Sequence, residues 1–133
     1  MNLHTKTLMV ASAVFMAALG LGASFLPHET LAYAGNRSEG LSVVLLQITG
    51  ALYMSYALVN WTASGSLIGG IYGRPLALGN FMHFAIVTIV LVKSLSVLTT
   101  TPILIAAATY ATFAVWFGLV LFTHPASSGE PRR

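Results

Sequence analysis

Few side chains in this 133-residue chain can bind or react, and the most suggestive pair lies in Gly79-Asn80-Phe81-Met82-His83-Phe84. Asn80 and His83 are three residues apart, so a helix sets them on nearly the same face, which Val87, Leu91 and Ser94 continue. An imidazole and a carboxamide each donate and accept hydrogen bonds. Three roles are open to such a pair. It can join two helices by hydrogen bonds. It can hold a small-molecule headgroup or a quinone. Alternatively, Gly79, four residues before His83, leaves room for a flat tetrapyrrole ligated by the imidazole.

The other histidines are His4, His28 and His124. His4, His83 and His124 fall on one side in the orientation derived below, and three imidazoles together could ligate a metal or haem. His4 and His124 lie at span ends, however, where a solvated histidine needs no ligand, so no metal site is expected. No apolar stretch contains Asp or Glu, and ion-coupled transporters and proton relays usually rely on intramembrane carboxylates. There is no nucleophile elbow, no phosphate loop and no HExxH. The absence of cysteine removes thiolate nucleophiles, zinc-thiolate sites and iron–sulfur ligation. No catalytic residues are expected.

Composition defines what must position these groups. Apolar residues make up 56% of the chain and charged residues 7%, against about a quarter charged in soluble domains. Too few charges remain to cover a water-facing surface, so the expectation is a membrane protein with the lipid bilayer as its first partner. The pI of 9.6 reflects six basic residues against three acidic ones. Lys6, Arg37, Arg74, Lys93, Arg132 and Arg133 are scattered, whereas nucleic-acid binding needs a clustered basic face.

A membrane-crossing helix takes about 20 mostly apolar residues. Four stretches qualify, near 7–26, 41–61, 78–98 and 102–123, which predicts an all-α integral membrane four-helix bundle forming one domain over 1–133. The first stretch has the Ala32-Tyr33-Ala34 pattern of a signal-peptide cleavage site downstream, but its apolar core exceeds the usual 7–15 residues of such a peptide. Retention as a span is expected. Between the first two spans, Pro27-His28-Glu29 opens and Gly35 follows a segment that reads as a short interfacial helix. Residues 62–77 hold Gly65, Gly69, Gly70 and Gly73 among Leu67, Ile68, Ile71 and Tyr72, a segment apolar enough to lie along the interface. A tight turn is expected at 99–102. With the N-terminus inside, Lys6, Arg74, Arg132 and Arg133 are cytoplasmic while Arg37 and Lys93 are outside. The positive-inside rule therefore places both termini in the cytoplasm.

Helical periodicity gives each span a face. In the second, Ser42, Thr49, Tyr53, Tyr56 and Asn60 fall within an arc of roughly 60°. Polar groups in hydrocarbon need partners, so this seam is expected to face the bundle interior or another subunit, with Tyr53, Tyr56 and Asn60 joining Asn80 and His83 as candidate ligand-binding or packing residues. The fourth span sets Thr109, Thr112, Trp116 and Thr123 on one side and Ala107, Ala111, Ala114 and Gly118 on the other. Small residues at such spacing admit a close helix contact, as do Ala13, Ala17, Gly20 and Ser24 in the first span. Two usable faces on the fourth span predict other membrane subunits, or self-association, as partners. Asn36-Arg37-Ser38 and Asn60-Trp61-Thr62 match the glycosylation pattern by chance.

The run Leu46-Gln47-Ile48-Thr49-Gly50-Ala51-Leu52 resembles the acid-x-x-Gly-small-Leu stretch of the DoxX-like proteins, small four-helix bacterial membrane proteins. Four spans with an outer segment after the first are similar to that family's layout. Gln47 stands where an acidic residue is usual. The resemblance implies the fold and a bacterial inner-membrane location. Since some members are linked to quinone-dependent sulfur oxidation, it also implies a redox or ligand-binding role with a quinone near Asn80 and His83. The residues themselves lead first to a non-catalytic accessory or structural subunit of a larger membrane complex.

Overall fold

The computed structural model describes residues 3–35, 40–65, 73–98 and 100–123. Outside the described residues lie Asn36-Arg37-Ser38, the glycines 69 and 70, Tyr72, Thr99, His124, Arg132, Arg133 and the side chain of His4. All regular structure among the described residues is helical: α1 (Leu3–Phe25), α2 (Pro27–Tyr33), α3 (Leu41–Ala63), α4 (Arg74–Ser94) and α5 (Thr101–Thr123). Helices α1, α3, α4 and α5 are each long and apolar enough to cross a membrane. The described residues divide into two compact units, one with α1, α2 and α3 and the other with α4 and α5.

In the first unit α1 and α3 pack antiparallel, since Ser24 lies against Gly50 while Ser12 lies against Asn60. The crossing is made by two glycines. A Cβ on Gly20 would sit 2.9 Å from the Met54 nitrogen and 3.0 Å from the Gly50 carbonyl oxygen; one on Gly50 would sit 2.7 Å from the Ser24 nitrogen and collide with the Ser24 hydroxyl. Bare glycines let the two backbones touch, and in lipid that close packing is a principal source of helix association. The small face expected on the first span turns to this contact, with Ala13 and Gly20 buried and Ala17 and Ser24 half-buried.

The short helix expected after the first span is α2. Pro27 lies in its first turn, where a missing N–H costs nothing. The Thr30 hydroxyl donates to the Leu26 carbonyl at 2.7 Å and reaches the Gly22 carbonyl at 3.4 Å, covering the end of α1. Gly35, at φ +73°, then takes the left-handed conformation that ends a helix at little cost in glycine. Helix α2 touches both α1 and α3.

In the second unit α4 starts at Arg74 and ends at Ser94, one turn earlier at each end than the 78–98 expected from hydropathy. Pro75 explains the start, because it suits the first turn and the Ala77 amide already donates to the Gly73 carbonyl at 3.1 Å. At the other end the Leu95 amide is shared between the Leu91 and Val92 carbonyls, and the Val97 and Leu98 amides fold back onto Ser94. These are hydrogen-bond terms, invisible to an apolar count. Helices α4 and α5 are antiparallel: Phe81 meets Gly118 and Phe122, while Phe84 meets Tyr110, Phe113 and Phe117.

Away from these contacts, Ile48, Leu52 and Leu58 of α3, Ile86, Ile89 and Val90 of α4, and Ile105, Val115, Leu119 and Phe122 of α5 are exposed. Water-soluble monomers rarely present apolar surface on that scale.

Candidate functional site

His83 is the tenth of the 21 residues of α4, about 14 Å along the axis from the first. The early start of the helix thus moves the imidazole from a turn and a half inside the span, as the sequence implied, to its midpoint. The ring is half-buried and Nε2 is fully enclosed. It lies edge-on to Phe84 at 5.2 Å between centroids and tilted to Tyr110 of α5 at 6.0 Å. Phe84 is the centre of the group. It is fully buried, stacks on Phe113 at 4.8 Å and on Phe117 at 5.7 Å, and meets Tyr110 at 5.5 Å. Tyr110, Phe113 and Phe117 recur at positions i, i+3 and i+7, so they form one stripe along α5. Aromatic pairs at such distances contribute about 0.5–1.5 kcal/mol each beyond their burial.

Asn80 is fully buried one turn earlier, and its Nδ2 donates to the Leu76 carbonyl at 3.0 Å. That bond ties the side chain to its own helix. Of the fourth-span packing residues, Ala107 and Ala114 are buried and Ala111 is half-buried. Gly118 lies under the Phe81 ring, 3.2 Å from where its Cβ would stand. The small residues therefore flank the aromatic stripe on the buried side of α5.

The second-span candidates belong to the other unit. Asn60 is completely buried, and its Nδ2 donates to Ser12 Oγ of α1 at 3.0 Å, with Met16 Sδ at 3.8 Å. Ser12 in turn donates to the Met9 carbonyl at 3.0 Å. A buried amide is costly unless hydrogen-bonded, and Ser12 meets that need across the helix contact. Burial within a helix also removes Asn60-Trp61-Thr62 as a glycosylation acceptor. Tyr53, Tyr56 and Ser42 are half-buried, whereas Thr49 is exposed and returns its hydroxyl to the Leu45 carbonyl at 2.8 Å. Ser55, Thr62, Thr109 and Thr112 do the same onto their preceding turns. A hydroxyl satisfied on its own helix can face lipid, so the polar seam need not be buried along its whole length.

Gln47 donates from Nε2 to the Ser24 carbonyl at 3.4 Å, near the end of α1. An ionised carboxylate at this position would offer no donor there. His28 is exposed on α2, and no group of three or more His, Cys, Asp or Glu gathers among the described residues.

Sequence reasoning does not reach Ser12 or the ring group of Phe84, Tyr110, Phe113 and Phe117. The heptad-like spacing of the α5 aromatics was readable, but nothing local marked Phe84 or Ser12 as their opposite numbers. No protein-family model, curated protein or solved structure matches the chain.

Proposed function

We propose that this chain crosses a bacterial inner membrane four times, with both termini cytoplasmic, and serves as a non-catalytic accessory or structural subunit of a larger membrane complex. One observation carries the reading. Two of the side chains suited to hold a ligand are engaged in joining helices: Asn60 bonds Ser12 across α1 and α3, and His83 packs on Tyr110 across α4 and α5. The long apolar faces left exposed on α3, α4 and α5 suit lipid and neighbouring membrane helices.

A second reading rests on the position of His83. An ionisable residue at the middle of a span is by default a candidate for function, and a DoxX-like protein holding a quinone near Asn80 and His83 is the form it takes here. Purification from native membranes in a mild detergent, followed by native mass spectrometry and an absorption spectrum, separates the two. The accessory role predicts a stoichiometric second membrane protein and no absorbance beyond the Tyr and Trp band. The chain alone, or with copies of itself, carrying a quinone or chromophore would overturn it.

A further inference from the structure

We draw no further inference here: the strongest candidate, the shallow apolar groove along α5 lined by Ala111, Thr112, Val115, Trp116 and Leu119, has nothing in the structure to show what covers it.

Discussion

Asn60 and Ser12 illustrate how a polar residue is tolerated in an apolar helix. Their bond is buried and joins two helices, yet hydrogen bonds between helices in lipid average only about 0.6 kcal/mol by double-mutant cycle. The cycle of Ser12→Ala, Asn60→Ala and the double variant, read by reversible unfolding in detergent, should give a favourable coupling of about 0.6–2 kcal/mol. A coupling of zero would mean that the pair is adjacent without being joined. For His83 the decisive contact is the ring. His83→Phe keeps an aromatic group against Phe84 and Tyr110 and should leave thermal stability nearly unchanged, whereas His83→Ala should lose about 1–3 kcal/mol. If His83→Gln restores stability and His83→Phe does not, hydrogen bonding rather than ring packing holds this position. Loss of a co-purifying chromophore in a stable His83→Gln protein would instead support the ligand reading.

Among the helices, α1 and α3 depend on glycine in a way that can be isolated. Gly20 and Gly22 are two residues apart, but only Gly20 faces α3; nothing lies within 4 Å of a Cβ on Gly22. Gly20→Leu and Gly50→Leu should each weaken the crossing, since overpacking costs about 1–3 kcal/mol and here the obstacle is backbone. Gly22→Ala should be neutral or should stabilise by up to about 1 kcal/mol from helix propensity. Melting temperatures of the purified variants test both, and a Gly50→Leu protein as stable as the parent would contradict the close crossing. Gly118 is a milder case, because its neighbour is a phenyl ring that can shift. The displaced ends of α4 show a related effect. An apolar count locates a span to within a turn, but the hydrogen bonds at its ends decide where it begins. In α4 that turn carries His83 from the sixth residue of the expected span to near the middle of the helix.

For the molecule as a whole, the proposed orientation rests on sparse charge. The chain has no cysteine, so single cysteines can be introduced without further changes. Ser64 follows the end of α3 and Ser96 lies in the turn after α4; in the proposed topology successive spans alternate direction, so the two fall on opposite sides of the membrane. With both termini cytoplasmic, Ser96→Cys should react with an impermeant thiol reagent in intact cells and Ser64→Cys only after permeabilisation. The opposite pattern would invert the topology, and labelling of both would indicate mixed insertion.

Apolar length is a local property, so the sequence alone determined four helices able to span a membrane and the short helix begun by Pro27. Small and polar faces were legible for the same reason, because a helix repeats every 3.6 residues whatever lies beside it. Pairing is not local. Asn60 finds Ser12 across 48 residues, and Phe84 finds its stack on a helix that begins after the next turn. A face states which residues point one way, but not which helix meets them or at what height. Tertiary packing decided that Gly20 meets Gly50, that Thr49 is exposed while Asn60 is buried, and that His83 lies against Tyr110. Each outcome depends on the axial register between two helices, set by the fit of all their side chains together.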